Sequence, residues 1–189
     1  RTRALTEFSK RNWQMANFDS LTSLPNRNLF FEHLRKGLKQ ARRRRRLLAL
    51  LLVDLDGFKA VNDTFGHDMG DELLRHIAER LQRCVRATDT VARLGGDEFT
   101  VVLPDLEHID GASAVARKII ECLAEPVPLG EAIGMVTASV GIAVYRPESP
   151  DSLELAMTLL RQADAAMYAA KRAGKNAWRF AEAVDSDPP

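Results

Sequence analysis

The sequence has few cysteines, no excess of charge and no long apolar run, and each absence excludes a class of protein. Its 189 residues include two cysteines, Cys84 and Cys122, without the spacing of a metal site or a disulfide framework. We expect both to be small core or boundary residues in a reducing compartment. Twenty-seven lysines and arginines nearly balance 26 aspartates and glutamates, so net charge indicates neither a nucleic acid nor an acidic partner. No apolar stretch approaches the roughly 18 residues of a membrane span.

The chain is long enough for one large domain or for one domain with an attached segment. Apolar residues make up 46% of it, which is typical of a globular protein. It begins at Arg1 without a methionine or signal peptide, so we expect a cytoplasmic piece of a longer protein, whose membrane anchoring stays open. Residues 1–18 carry a coiled-coil stripe at 3-4-3 spacing: Leu5, Phe8, Asn12 and Met15. A connecting helix that pairs with its twin and a helix lying on the domain are both open. We expect the main domain at 19–180 and a flexible tail at 181–189.

The most informative stretch is Val91–Leu103, VARLGGDEFTVVL. Two apolar runs flank Gly95-Gly96-Asp97-Glu98, which predicts a β-hairpin with its tip at the glycines. Adjacent glycines let the backbone turn where a Cβ would clash, and let another molecule approach it closely. Taken alone, an ordinary charged hairpin tip explains these residues better than a site does, so their interpretation depends on the acidic cluster upstream.

The hydrophobic pattern predicts an α+β fold. Leu47–Val53 is a continuous apolar run, as expected for a central strand covered on both faces. Val136–Val144 alternates, and its small-residue face predicts close packing by a helix or room for a ligand. Four helices are predicted: one from about residue 28, one over 70–86, one over 111–123, and one that begins at a capping box formed by Asp151 and Glu154. A small hairpin is predicted at 126–133 and an edge strand at 176–180. This order favours a central, mostly antiparallel sheet with helices packed on it.

The second acidic cluster is Asp54-Leu55-Asp56, at the end of the central strand. Asp54 and Asp97 would meet at one sheet edge and repel each other unless a cation lay between them. Mg²⁺ prefers such oxygen ligands and keeps positions open for phosphate oxygens. Asp56 shares the strand parity of Asp54 but could instead cap the turn. Either aspartate alone could be an ordinary capping residue, whereas together with the glycine backbone they favour a metal–phosphate site.

The residues after this cluster suggest a nucleotide. Gly57-Phe58-Lys59 begins a short helical segment whose N–H groups could hold an anion. Asn62 and Asp71 follow, and a carboxylate can accept from the N1–H and 2-amino groups of guanine, which adenine does not offer. In isolation, both would be read as turn and cap residues.

Three further pairs have a functional and a plain interpretation. Lys171 and Lys175, four apart near a helix end, could reach phosphates from one face, although such lysines are more often only solvated. Arg86 and Asp89, at the end of the second long helix, form by themselves an ordinary i,i+3 pair. The run Arg42–Arg46 could bind nucleic acid or anionic lipid, but a solvated helix end is favoured, and we expect no nucleic-acid partner.

Five ordered blocks resemble the GGDEF family, the diguanylate cyclases, over residues 19–180. They are DSLTSLPNR, DLDGFKAVNDTFGHDMGDELL, RLGGDEF, ASVGIAVY and ADAAMYAAKRAGKN. The resemblance implies a fold like the palm domain of nucleotidyl cyclases and polymerases. It also implies that two GTP become cyclic di-GMP and two pyrophosphates, at a site shared by two facing domains of a homodimer, under an upstream sensory module.

The resemblance further implies roles for particular residues. Asp54, the Leu55 carbonyl, Asp97 and Glu98 would hold Mg²⁺ or Mn²⁺, and Asp54, Asp97 and Glu98 would be catalytic. The substrate-binding residues would be Asn62 and Asp71 at guanine and Gly57, Phe58, Lys59, Gly95, Gly96, Lys171 and Lys175 elsewhere on GTP. Arg86-Ala87-Thr88-Asp89 matches the family's RxxD inhibitory site, with Arg117 as a second arginine, which implies feedback binding of cyclic di-GMP. A non-catalytic module that binds GTP or cyclic di-GMP remains the alternative.

Overall fold

The computed structural model describes residues 11–149 and 154–182. Residues 11–17 are helical and are called α1. The other helices are α2 (Arg27–Arg44), α3 (Phe58–Phe65), α4 (His67–Cys84), α5 (Asp110–Leu123) and α6 (Leu155–Arg172). The strands are β1 (Leu47–Asp56), β2 (Thr90–Gly95), β3 (Glu98–Leu106), β4 (Val127–Leu129), β5 (Ala132–Gly134), β6 (Thr137–Tyr145) and β7 (Ala177–Phe180). Leu5, Phe8, Asp151 and the predicted tail from residue 183 lie outside the described residues.

Five strands form one sheet in the order β2-β3-β1-β6-β7. β1 lies at its centre and pairs antiparallel with β3 and β6. β2 and β3 form the expected hairpin, and β7 is an edge strand parallel to β6. The predicted α+β fold with a mostly antiparallel sheet is therefore confirmed, as is the small separate hairpin of β4 and β5.

The two faces of β1 enter two different hydrophobic cores. Odd-numbered residues such as Leu51 and Val53 pack with the residues of α4 and α5, while even-numbered residues such as Leu50 and Leu52 pack with α2 and α6. Every residue from Leu48 to Asp56 is buried, which confirms a strand covered on both faces. This parity also determines which helix the acidic end of the strand meets.

The small face of β6 is filled by α6. A Cβ added at Gly141 would overlap the backbone of Ala163 and Met167, and would lie 2.9 Å from Met167 Cα. The helix therefore lies directly on the strand, as one of the two expectations for this face predicted. α6 consequently runs across the sheet beside the acidic end of β1.

Several boundaries differ from the prediction. The helix predicted over 70–86 is His67–Cys84, because Gly66, with φ of 87°, separates α3 from α4 and the extended Val85 ends α4. On α5 the fully buried residues include Ala112 and Ala116, while Val115 and Ile120 are only partly buried.

The arginine run at the end of α2 is partly neutralised. Arg44 lies 3.3 Å from Asp105, and Arg46 lies 2.8 Å from Glu107. Both pairs are exposed, so each contributes little to stability.

Both cysteines are free: Cys84 is buried and Cys122 is half-buried. Within the described ranges, none of the helices combines the length and the apolar character that crossing a bilayer requires.

Candidate functional site

The acidic end of β1 faces α6. Asp54 is 7% exposed and has the strand parity of Leu50 and Leu52, so its side chain lies on the α6 side of the sheet. In the registers of the two neighbouring strands, Asp54 pairs with Glu98 of β3 and with Ser139 of β6. The antiparallel pairing thus brings Asp54 opposite Glu98, which lies 44 positions later in the chain and directly after the hairpin tip.

The hairpin turns at Gly96 and Asp97, between the paired residues Gly95 and Glu98. Gly95 and Gly96 have φ of 148° and 52°, which favour glycine. In the described part of the chain no atom lies within 4 Å of a Cβ built at either glycine. A ligand can therefore approach this backbone closely. Leu55 N donates to Asp97 O at 3.3 Å, which ties the tip to the end of β1.

The carboxylates at this edge interact electrostatically. Burial, followed by the charge of Asp97, raises the pKa of Asp54, although a hydrogen bond from Lys171 opposes the rise. Burial and the charges of Asp54, Asp164 and Asp97 raise the pKa of Glu98. Asp54 and Glu98 are paired in register at this edge of the sheet, and Asp97, whose charge raises the pKa of both, lies at the adjacent hairpin tip.

Lys171 of α6 supplies the positive charge. Its Nζ lies 2.7 Å from Asp54 Oδ1, with 30% of the lysine side chain and 11% of the aspartate side chain exposed. Burial alone would lower the pKa of Lys171, but the hydrogen bond to Asp54 and the charges of Asp54, Asp56 and Asp97 raise it. The Lys171 ammonium thus supplies a cation to one of the carboxylates at which the sequence predicts a metal.

Asp56 has a different environment from Asp54. It is 8% exposed, and its carboxylate accepts hydrogen bonds from Ser139 Oγ at 2.9 Å, Thr137 Oγ1 at 3.0 Å and Asn176 N at 3.1 Å. These contacts join β1 to β6 and to the turn before β7. Asp56 therefore holds neighbouring elements together, and these hydrogen bonds are not those of a cap on the turn after β1.

A divalent cation fits the chemistry of this cluster. Asp54, Asp97 and Glu98 offer hard oxygen ligands, and their environment already holds one cation, the Lys171 ammonium. In residues 11–149 and 154–182, however, no three histidine, cysteine, aspartate or glutamate side chains converge closely enough to hold a metal ion. Three of these side chains could hold an ion together only if they drew closer to one another.

The segment after β1 forms the second part of the site. Gly57, with φ of 86°, precedes α3, and no side chain caps that helix. Phe58 packs against the core, whereas Lys59 is exposed. The first amides of α3 are thus available in the way that an anion requires. The predicted helical segment after Gly57 is confirmed.

Asn62 and Asp71 come close together because α3 and α4 are joined by Gly66 alone. Asn62 Oδ1 is buried and has no hydrogen-bond partner within the described residues. It lies against Gly70, which precedes Asp71 in α4. Asp71 is exposed. The two residues predicted to read guanine therefore lie in one region, one of them with an unsatisfied acceptor.

The prediction that Lys171 and Lys175 share a helix face is wrong. α6 ends at Arg172, and Lys175 lies in a turn with φ of 64°, where its N–H donates to Ala170 O at 3.2 Å. Gly174, with φ of 121°, allows this reversal. Lys171 therefore belongs to the acidic cluster, while Lys175 is an exposed residue of the turn before β7.

Arg86 and Asp89 form a turn and not a helical pair, because α4 ends at Cys84. Asp89 Oδ2 accepts from Arg86 N at 2.8 Å, and Asp89 N donates to Arg86 O at 3.0 Å. Burial raises the pKa of Asp89. Both residues line a cavity of about 480 Å³ beside Pro25 and His33. Arg117 is exposed on α5 and is not among the residues lining that cavity.

The sequence analysis missed Arg93, which fixes the hairpin tip. Arg93 Nη2 and Nε donate to Gly96 O at 2.7 and 3.0 Å, and Nη1 donates to Asp19 Oδ2 at 3.0 Å. Thr22 also donates to Asp19, from its N at 2.8 Å. Arg93 therefore connects the tip to the segment before α2. An arginine beside a glycine turn could have indicated this role from the sequence, but its partner Asp19 lies 74 positions away and no local pattern connects the two.

Comparisons with known proteins find a family model, relatives and solved structures that resemble this chain. Residues 16–177 match the family model described as "Diguanylate cyclase, GGDEF domain". The chain is 44% identical over 169 residues to the bifunctional diguanylate cyclase/cyclic di-GMP phosphodiesterase MucR of Pseudomonas aeruginosa, covering 89% of this chain and 24% of MucR. It is 42% identical over 171 residues to the diguanylate cyclase TpbB of the same species, covering 90% of this chain and 38% of TpbB. The chain thus spans well under half the length of these relatives.

Two solved structures have closely similar folds. The GGDEF domain of TpbB matches with a TM-score of 0.81 and 43% identity, over 87% of this chain and 94% of that one. The coiled coil and GGDEF domain of DgcB from Caulobacter crescentus, in complex with c-di-GMP, matches with a TM-score of 0.85 and 28% identity, over 95% of this chain and 93% of that one.

Proposed function

This chain belongs to the GGDEF domain family of diguanylate cyclases, and from that premise we propose that it condenses two GTP into cyclic di-GMP with release of two pyrophosphates. The observation that carries the proposal is the cluster of Asp54, Asp97 and Glu98, whose charges interact beside an open glycine turn. An ordinary hairpin tip has no need to place its acids against a buried aspartate of the central strand.

Asp54, the Leu55 carbonyl, Asp97 and Glu98 would hold the Mg²⁺ or Mn²⁺ ions. When bound, the ions supply charge neutralisation at the triphosphate and lower the pKa of the attacking hydroxyl. The chain's own residues bind and orient the nucleotide. Gly95 and Gly96 admit the phosphates, and the first turn of α3 donates N–H groups to them.

Guanine would be read by Asn62 and Asp71. The Asp71 carboxylate accepts from the N1–H and 2-amino groups, which adenine lacks, and the Asn62 amide can both donate and accept. Lys59, Lys171 and Lys175 are the cations assigned to the phosphates. Lys171 already contacts the acidic cluster, since its Nζ lies 2.7 Å from Asp54 Oδ1.

The reaction requires two copies of the domain, each holding one GTP. The 3′-oxygen of one GTP attacks the α-phosphorus of the other, a P–O bond forms, and the bond to the β-phosphate breaks to release pyrophosphate. Asp97 or Glu98 accepts the hydroxyl proton. The second copy then performs the same step and closes the ring. We propose that residues 1–18 pair the two copies under the control of an upstream sensory module.

Product feedback is the second part of the proposal. Arg86, Asp89 and Arg117 would bind cyclic di-GMP as a base-stacked dimer, since an arginine fork matches guanine O6 and N7 and phosphate oxygens. The cavity beside Arg86 and Asp89 supports this assignment. Asp89 holds the turn that presents Arg86, through its bond to Arg86 N at 2.8 Å.

The test is pyrophosphate release from GTP and Mg²⁺ by the protein held as a dimer through a fused dimerisation domain. Asp97→Ala should abolish release, whereas Glu121→Ala, which removes an exposed carboxylate from α5, should leave it unchanged. Arg86→Ala should relieve inhibition by added cyclic di-GMP. Tight cyclic di-GMP binding without any turnover would contradict the cyclase and favour the non-catalytic module.

A further inference from the structure

Gly70 differs from the glycines at the turns. It lies inside α4 and is buried. Gly57, Gly66, Gly95 and Gly96 have positive φ, whereas Gly70 is not among the positive-φ residues. A helical backbone accepts any L-residue other than proline readily, and alanine would stabilise the helix relative to glycine. The reason for glycine at this position is therefore space and not backbone conformation.

The space that a side chain would fill is occupied by Asn62. A Cβ built at Gly70 would overlap Asn62 Oδ1 and lie 2.9 Å from its Cγ and 3.5 Å from its Nδ2. Real Cβ atoms do not approach other atoms so closely, so the amide would have to move. Asn62 is in the last turn of α3, where its backbone carbonyl accepts from Gly66 N at 2.9 Å. Its backbone is thus fixed, and the side chain is the part that would be displaced.

The amide is held in place without hydrogen bonding at its oxygen. Asn62 Oδ1 is buried and has no partner in the described ranges, and a buried unsatisfied acceptor is unfavourable. The oxygen lies against Gly70, so Nδ2, which is farther from that position, is the amide atom left to meet a ligand. Gly70 precedes Asp71, so the same turn of α4 sets the positions of both residues assigned to guanine.

We propose that Gly70 is a positioning residue for base recognition: its missing side chain leaves the space in which the Asn62 amide is held toward the guanine. The inference rests on the proposed function, because it assumes that Asn62 reads the base. It predicts that Gly70→Ala weakens binding through the base and not through the phosphates. A general structural role would affect both.

The experiment compares two probes by isothermal titration: GTP, and inorganic tripolyphosphate, which has no base. With Ca²⁺ in place of Mg²⁺ to suppress turnover, Gly70→Ala should bind GTP on the order of tenfold more weakly, the size of one or two lost hydrogen bonds, with unchanged affinity for tripolyphosphate. Gly37→Ala is the matched control. Gly37 is likewise buried in a helix, and its Cβ would lie 2.9 Å from Leu48 Cδ1, a flexible side chain. That variant should bind both probes as the unsubstituted protein does.

A double-mutant cycle tests the contact itself. Asn62→Ala should weaken GTP binding, and adding Gly70→Ala should cause no further loss, because the amide is already absent. The double variant also keeps the proposal testable if Gly70→Ala alone does not fold. Without the Asn62 amide, alanine at position 70 should be tolerated, and Tm should be at least that of Asn62→Ala.

The outcomes separate this inference from the proposed function. If the unsubstituted protein binds GTP and Gly70→Ala binds it equally well, the inference is overturned and the proposed function stands. Additive losses, equal weakening toward tripolyphosphate, or a double variant much less stable than Asn62→Ala would also overturn it. If the unsubstituted protein does not bind GTP, the proposed function fails and the inference fails with it.

Discussion

Replacing Lys171 with methionine tests whether its ammonium and a divalent cation compete for the same carboxylates. Lys171 Nζ lies 2.7 Å from Asp54 Oδ1. Burial and the charge of Asp97 both disfavour the ionised form of Asp54. Methionine keeps most of the apolar stem but removes the charge, so Asp54 is left among like charges without its partner.

The magnitude follows from the burial of the pair. Breaking a fully buried pair costs about 3–5 kcal/mol, whereas an exposed pair contributes about 0–1 kcal/mol. Here 11% of the Asp54 side chain and 30% of the Lys171 side chain are exposed, so an intermediate loss of about 1–2 kcal/mol is expected for the metal-free protein. For a domain of this size that corresponds to a Tm lower by about 2–8 °C.

The assay is thermal unfolding with and without Mn²⁺. A ligand that binds only the folded state raises Tm by mass action, and in Lys171→Met the ion need not displace an ammonium. Mn²⁺ should therefore raise the Tm of Lys171→Met more than that of the unsubstituted protein. Lys175→Met is the control, because Lys175 lies exposed in the turn beyond α6. Equal metal-free Tm values for the two variants, or equal Mn²⁺ shifts for Lys171→Met and the unsubstituted protein, would refute the reasoning.

Three predictions concern other parts of the chain. Gly141→Ala should lower the free energy of unfolding by about 3 kcal/mol or prevent folding, since the new Cβ overlaps the backbone of α6. Urea unfolding measures this loss, and a loss below about 1 kcal/mol would count against such close packing. Burial and the nearby Cys122 raise the pKa of Cys84 to about 12, so iodoacetamide at pH 8 should leave Cys84 unmodified until the protein is unfolded. Mass spectrometry of the labelled native protein checks this, and rapid labelling of Cys84 would contradict it. Burial raises the pKa of Asp19, but hydrogen bonds from Thr22 and Arg93 outweigh it and lower that pKa below its ordinary 3.8. The stability that Asp19 contributes relative to Asp19→Asn should therefore be constant above about pH 5 and shrink as the pH falls below 3.8. Urea unfolding at several pH values measures this difference in stability, and a difference that grows as the pH falls would contradict the prediction.

Much of the site was predictable because its main features are local in sequence. The continuous apolar run identified β1 as the central strand, and the glycine pair identified the hairpin tip. The pairing of the hairpin beside β1 then places the end of β1, with Asp54, next to the carboxylates of the tip. The close approach of α6 was one of two expectations for the small face of β6, and Gly141 decides in its favour.

The remaining features depend on contacts that no local pattern encodes. The pairing of Lys171 with Asp54 requires the position of α6 on the sheet, and the contact of Arg93 with Asp19 spans 74 positions. Lys175 was misplaced because the spacing of four suggested a helix, whereas Gly174 with φ of 121° allows the chain to turn first. The hydrogen bonds of Asp56 with Ser139 and Thr137 likewise depend on the register of β1 and β6.

The central claim is that Asp54 and Asp97 gather a divalent cation beside the glycine turn to receive a guanine nucleotide. The most direct measurement is anomalous diffraction from crystals grown with Mn²⁺ and a non-hydrolysable GTP analogue. We predict a manganese peak in contact with the carboxylates of Asp54 and Asp97, with guanine against Asn62 and Asp71. A manganese peak elsewhere, with Lys171 still paired to Asp54 and the nucleotide bound away from the hairpin tip, would contradict the account.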